Sequence, residues 1–200
     1  MDIRWLGHAA FELTHDGVTV LIDPFITGNP VTTADAGELS ADAILLTHGH
    51  MDHVGDAVAI AKRTGATVQA ITEIANELSA EGIEVIDTNL GGTATYDWGS
   101  VRLVPAWHTS TTPKGAASTP AGLVIELGGK VVYHTGDTAL FSDLALPGQR
   151  KKIDVTLLCI GGHYTMDRED AVVASGLIGA DVVIPQRSAS RAAAAAATLP

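Results

Sequence analysis

Four side chains able to bind a metal ion, His48, His50, Asp52 and His53, fall within six consecutive residues of the stretch Thr47-His48-Gly49-His50-Met51-Asp52-His53. They follow the apolar run Ala43-Ile44-Leu45-Leu46, whose abrupt change to polar residues and glycine predicts a buried strand ending there. If the chain stays extended, His48, His50 and Asp52 point to one side, because strand side chains repeat every two residues. His53 breaks that alternation and belongs to the turn into a following helix. One short loop can therefore offer imidazoles to one metal ion, and a carboxylate with an imidazole to a second. The competing reading is a His-rich surface loop or an incidental helix cap; it is weakened because the same chemistry recurs at other strand ends.

His108 follows the predicted strand Val101–Ala106 and opens a polar loop, and Asp137 stands in Gly136-Asp137-Thr138 directly after Val131-Val132-Tyr133-His134-Thr135. A carboxylate at a strand end beside glycine can reach two cations at once. His48, His50 and His108 make a three-imidazole set, which in a catalytic zinc centre leaves a fourth position for water. Asp52, His53 and Asp137 make an adjoining mixed set with Asp137 as the bridge. Two ions roughly 3.5–4 Å apart would share a hydroxide, because metal binding lowers the pKa of water to about 7. The result is a nucleophile at neutral pH that needs neither serine nor cysteine.

His8, His134 and His163 each stand beside glycine or at a strand end. With Asp52 they are the candidates for acid–base and positioning roles: donating to an oxyanion, protonating a leaving group or orienting a ligand. A buried, hydrogen-bonded histidine is the alternative for each of the three. Asp23, before Pro24, is either a turn former or a residue that orients a ligand or loop. His15 sits in the turn His15-Asp16-Gly17 with no such company.

The elements that must position these groups are short. Strands are predicted at Ile3–Leu6, Ala10–Leu13 and Val18–Ile22. A helix runs from Val54 through Ala61 to Gly65; a strand at Thr67–Ile71, a helix at Glu73–Ala80 and a strand at Glu84–Ile86 follow. That is an α/β alternation. Thr93–Trp98, Val101–Ala106, Gly122–Leu127 and Lys130–Tyr133 read as antiparallel strands, with Gly128-Gly129 as a hairpin turn. Asp154–Ile160, Asp167–Ile178 and Asp181–Ile184 form a last strand–helix–strand unit. Residues 26–41 and 109–120, rich in Thr, Ser, Gly and Pro, are loops, the first of them a candidate cover for a substrate.

With 200 residues, 46% hydrophobic, the chain can bury a sizeable core. A net charge of −11 disfavours nucleic acid and anionic lipid as partners. No apolar run approaches the ~20 residues of a membrane span, and the start lacks a signal peptide's regions, so a cytoplasmic protein acting on a small molecule is expected. The single cysteine, Cys159, lies among apolar residues and reads as a core thiol. Oligomeric state is left open.

On these residues the chain resembles the metallo-β-lactamase superfamily. His48-Gly49-His50-Met51-Asp52-His53 is similar to its His-x-His-x-Asp-His signature, and Asp23, His108 and Asp137 fall in the order of its first, third and fourth motifs. Trp5-Leu6-Gly7-His8, Tyr133–Thr138 and Ile160–Met166 are similar to a branch of small metal-dependent hydrolases akin to the ascorbate-6-phosphate lactonase and N-acylethanolamine phospholipase D types. The likeness spans about residues 1–185. It implies a four-layer αββα sandwich with one or two metal ions at one edge, zinc first and manganese, iron or nickel as alternatives. It also implies that a metal-bound hydroxide cleaves an ester, lactone or phosphodiester.

One departure stands out. Where the family continues Ile-Pro-Met-His-Tyr and its histidine completes the second metal site, this chain reads Val183-Ile184-Pro185-Gln186-Arg187-Ser188. Arg187 takes the ligand's place and stays protonated. Residues 186–200 read as an atypical, low-complexity tail, frayed or loosely docked, expected to reflect a frame shift or truncation that removes the closing C-terminal segment. A degenerate, non-catalytic metal-binding homologue is the alternative reading.

Overall fold

In a computed structural model, the described residues are 1–187 together with the backbone of Ala197–Thr198. The chain begins with three antiparallel strands, β1 (Asp2–Gly7), β2 (Ala10–His15) and β3 (Val18–Ile22). A long loop leads to β4 (Ala43–Leu45), and then come α1 (Met51–Val54), α2 (Ala57–Thr64), β5 (Thr67–Ile71), α3 (Thr72–Ser79) and β6 (Val85–Thr88). Strands β3 to β6 are parallel neighbours. The second half repeats the plan. β7 (Thr93–Tyr96), β8 (Gly99–Pro105), β9 (Ala121–Leu127) and β10 (Lys130–His134) are antiparallel. α4 (Leu146–Arg150), β11 (Val155–Cys159), α5 (Arg168–Ile178) and β12 (Val182–Gln186) follow, with β10, β11 and β12 parallel. Among the described residues these strands make two sheets, and Ala197–Thr198 adds a short strand, β13, to the β1 edge.

Side-chain alternation shows why the sheets stack. In the second sheet Val101, Leu103, Leu123, Ile125, Val132, Val155 and Leu157 belong to the core shared with the first sheet. Their neighbours Val104, Val124, Val131, Tyr133 and Leu158 belong to a separate cluster with Ala171, Ala174 and Ile178 of α5. A period of two in a strand sends alternate residues to opposite faces, so this sheet is covered twice. The first sheet carries α2 and α3 on β5 and β6. Strands β4 and β11 are buried along their whole length, as parallel strands covered on both faces must be. The expected αββα architecture is what the chain adopts. Gly128 and Gly129, both at positive φ (58° and 73°), form the tight turn between β9 and β10.

Three local readings change. The helix expected from Val54 to Gly65 is two helices, broken at Gly55 (φ 42°), where a Cβ would lie 2.5 Å from Phe25 Cα. Asp52 is not on an extended segment: the backbone turns helical at Met51, so Asp52 and His53 share the first turn of α1. The 3₁₀ turn Ser142–Ala145 and helix α4 were not anticipated, because Pro147 and Gly148 interrupt any helical pattern there. The expectation for the tail beyond Arg187 lies outside the described residues, apart from the β13 backbone.

Candidate metal centre

The ends of β1, β3, β4, β8, β10 and β12 all open at one edge of the sandwich, and each delivers a functional residue there. Two glycines allow the close approach. A Cβ on Gly49 would stand 1.8 Å from the Thr111 carbonyl oxygen, and Gly49 N–H donates to Ser110 Oγ at 3.2 Å. The segment after His108 thus lies directly on the histidine loop. Gly136 has φ 64° and a Cβ there would meet Ala121 O at 2.6 Å. Thr138 ties the two ligand-bearing loops together: its Oγ1 accepts from Trp107 N at 2.9 Å, and Ala139 N donates to Trp107 O at 2.9 Å.

Three histidine rings converge. The His108 ring centroid lies 5.3 Å from both His48 and His50, and the latter two are 4.6 Å apart. One ring nitrogen from each falls within 4.8 Å of the others. His48, His53 and Asp137 form a second such group, and His8, Asp52 and His53 a third. Asp137 stands between: its Oδ2 is 3.5 Å from His53 Nε2 and 3.6 Å from His108 Nε2. Asp137, expected as the bridge, therefore lies between His53 and His108.

Hydrogen bonds set the tautomers. Asp23 is fully buried at φ 45° where β3 leaves the sheet. Its Oδ1 accepts from Thr47 N at 2.8 Å, and its Oδ2 accepts from Thr47 Oγ1 at 2.6 Å and from His53 Nδ1 at 2.7 Å. Asp23 is therefore both a turn residue and the group that orients the His53 ring. Thr47 Oγ1, its proton committed to Asp23, accepts from His48 Nδ1 at 3.0 Å. That leaves the lone pair on His48 Nε2, which faces His50 Nδ1 at 3.0 Å.

The residues fit a divalent ion. Asp137 is 1% exposed, and its Oδ1 has no hydrogen-bond partner among the described residues. A buried carboxylate oxygen left alone is costly, and a cation would relieve it. The imidazole-rich donor set beside it suits zinc and its neighbours in the periodic table.

Electrostatics follow from burial and charge. Burial pushes the Asp137 carboxyl up, but His53, then Arg187 and His48, hold it below the usual carboxylate range. Asp52 is held down in the same way, by its hydrogen bond to His8 and by His53 and Arg187, against partial burial. Burial drives His48 well below the ordinary imidazole value, and His53 beside it adds to the effect, so His48 is neutral and ready to ligate. Burial alone would lower His53 too, but Asp23 and Asp137 raise it to about 10.

The candidates for acid–base work separate. His8, half-buried at φ 55°, sets its Nε2 2.9 Å from Asp52 Oδ2. His134 is not placed to act on a substrate. It is fully buried, its Nε2 donates to Ala9 O at 3.1 Å and its Nδ1 accepts Gly136 N–H at 3.0 Å, so both nitrogens are occupied. Its catalytic reading is corrected to positioning: it braces the loop that carries Asp137. His163 is exposed beyond β11, its ring 4.5 Å from Tyr164, and belongs to none of the converging groups. Cys159 is buried, and burial pushes its thiol up to about 11, as a core residue.

Thr47 was missed by sequence reading, although its place between a buried strand and the first histidine marks it as a hydrogen-bond relay. Arg187 sits among the ligands. Its Nη1 donates to Asp137 Oδ2 and lies 3.0 Å from His53 Nε2, and its Nη2 is 3.3 Å from Asp52 Oδ2.

Residues 2–187 match the family profile described as "Beta-lactamase superfamily domain". A "UPF0173 metal-dependent hydrolase" of Symbiobacterium thermophilum is 52% identical over 188 residues, covering 92% of this chain and 83% of its own length. The protein of the same description from Ligilactobacillus salivarius is 47% identical over 186 residues, covering 92% and 84%. Among solved structures, Igni18, titled a metallo hydrolase from Ignicoccus hospitalis, superposes with a TM-score of 0.86 at 38% identity, covering 97% of this chain and 85% of that one.

Proposed function

The chain belongs to the beta-lactamase superfamily, among its metal-dependent hydrolases, and from that premise we propose that it cleaves an ester, lactone or phosphodiester bond in a small molecule. The observation that carries this reading is the meeting of His48, His50 and His108 from two distant segments, next to a buried Asp137 with an oxygen unpartnered among the described residues. In this reading the three imidazoles hold the ion, zinc by preference, with manganese, iron or nickel as alternatives. Bound there, a divalent ion supplies an acidified water and a Lewis acid for the substrate oxygen.

The chain's own groups do the rest. Asp23 and Thr47 hold His53 and His48 in the tautomers that present Nε2 to the centre. Asp52, kept ionised, takes up a proton from water and delivers it to the leaving oxygen, and His8, donating to it at 2.9 Å, holds that carboxylate in place. A groove beside Asp52, lined by Phe25, Thr27, Met51, Gly55 and Asp56, admits the substrate. Asp56 accepts from the Ile26 and Thr27 amides at 2.9 and 2.7 Å, which seats the start of the 26–41 loop against that groove. Among the described residues no helix is long and apolar enough to cross a membrane, and we read the enzyme as a cytoplasmic one.

Elemental analysis of protein purified without added metal, followed by a panel of lactones, esters and phosphodiesters, tests the proposal. His50→Ala and Asp137→Ala are each expected to lose bound metal and turnover together; full activity in either would refute that residue's role. Arg187 favours a second reading, a non-catalytic metal-binding homologue, which stoichiometric metal without turnover of any substrate would support.

A further inference from the structure

We propose that the Arg187 guanidinium is a built-in replacement for a second metal ion, so that this chain holds one divalent ion where its ligand set would otherwise take two. The inference rests on the metal-dependent reading above. Three groups of ligand atoms lie side by side at the sheet edge. Among the described residues the guanidinium makes no hydrogen bond to the one made by His48, His50 and His108. The other two, His48 with His53 and Asp137, and His8 with Asp52 and His53, share His53, and from them the guanidinium touches three residues: Nη1 on Asp137 Oδ2 and on His53 Nε2, Nη2 on Asp52 Oδ2.

The arginine is held in place. Its side chain is 10% exposed, its backbone N–H donates to His8 O at 3.0 Å, and its φ is 60°. Trp5 Nε1 donates to the same His8 oxygen at 3.0 Å, so the loop carrying His8 and the end of β12 are fixed to one another. The guanidinium meets two carboxylates and one imidazole, the donor set of a mixed cation site. It carries a permanent positive charge and cannot give up a proton to ligate. A divalent ion entering the same space would have to displace it and lose its bonds to Asp52 and Asp137, or sit beside it against charge repulsion. His53 Nε2 likewise has room for only one partner.

Asp137 is shared rather than consumed. Its Oδ2 serves the guanidinium and also lies 3.6 Å from His108 Nε2, while its buried Oδ1 has no hydrogen-bond partner among the described residues. One fixed protein charge and one exchangeable metal ion therefore replace two exchangeable ions.

Cobalt(II) titration followed by visible absorption, with elemental analysis of the dialysed protein, tests this on the full chain. The native protein is expected to saturate at one ion per chain. Arg187→His, which supplies a neutral ligand, and Arg187→Ala, which vacates the space, are expected to take a second ion, more tightly in the histidine variant. One ion in the native chain and two in either variant supports the proposal. Two ions in the native chain, or one in every folded variant, overturns it. If neither variant folds, saturation of the native chain decides alone, at one ion in favour and at two against. No bound ion in the native chain would instead bring down the metal-dependent reading itself, and this inference with it.

Discussion

Replacing Asp23 by asparagine removes a charge from the most buried point of the centre while keeping the side chain's shape. The carboxylate accepts three hydrogen bonds, from Thr47 N, Thr47 Oγ1 and His53 Nδ1. An amide offers one oxygen and one NH2 group. With its oxygen kept on Thr47 N–H, the NH2 faces two donors where Oδ2 stood. Thr47 Oγ1 must then turn its hydrogen toward His48 Nδ1, which forces the His48 proton onto Nε2 and removes the lone pair aimed at the centre. His53 Nδ1–H is left facing another donor.

Breaking a buried charge pair by removing one partner costs about 3–5 kcal/mol, a large share of the ~5–15 kcal/mol that a domain has in total. At about 2–4 °C per kcal/mol for a chain of this size, Asp23→Asn should lower the melting temperature of the metal-free protein by roughly 6–20 °C. Residues that orient ligands typically change metal affinity about 10–100-fold, and here two ligands are disturbed. Differential scanning calorimetry and competitive titration against a chelator measure the two effects. A melting temperature within about 2 °C of the native value, with unchanged metal affinity, would refute the hydrogen-bond relay through Asp23 and Thr47.

Gly49→Ala forces a Cβ onto the Thr111 carbonyl, so it should cost at least about 2 kcal/mol and loosen the seat of His108, read as a lowered urea midpoint with weakened metal binding; a native midpoint would contradict the close packing. His134→Ala leaves the Ala9 carbonyl and the Gly136 amide unpaired, for about 1–3 kcal/mol each. Because His134 only braces the Asp137 loop, metal stoichiometry and residual turnover should survive in the folded fraction, whereas total loss of turnover in stably folded protein would restore it as catalytic. The pH response of the metal-free protein follows from Asp52 and Asp137, whose folded values lie below the ordinary 3.8. Lowered carboxylates stabilise the fold above their unfolded value and lose that contribution as pH falls through the folded one. The urea midpoint should therefore fall from pH 6 to pH 3, and fall less in Asp52→Asn; an equal fall in both proteins would refute the pairing.

The β-α-β order, the antiparallel middle and the strand-end histidines were legible because each is written in local pattern: apolar runs that stop at polar residues, paired glycines, helix ends. The break at Gly55 was not, because its cause is the Phe25 backbone packed against it from a distant loop. The helical turn at Met51 was also hidden, since alternation of His48, His50 and Asp52 suits an extended chain equally well. Arg187 shows the opposite case: its type and place announced a cation among ligands before any coordinates did.

What the sequence determined by itself was the chemistry on offer, imidazoles and carboxylates at strand ends; its resemblance to the family added an arginine where a further ligand would stand. Only the tertiary structure decided which of them share a space. His8 joins the centre through Asp52, while His134 turns inward to backbone partners and His163 stands exposed away from the converging groups. All three lie beside glycine or at a strand end in the sequence, and nothing in their neighbours distinguishes them. The difference arises from contacts between residues far apart along the chain: His8 with Asp52 across the edge of the first sheet, and Ala9 with His134 once the two sheets have closed on their common core.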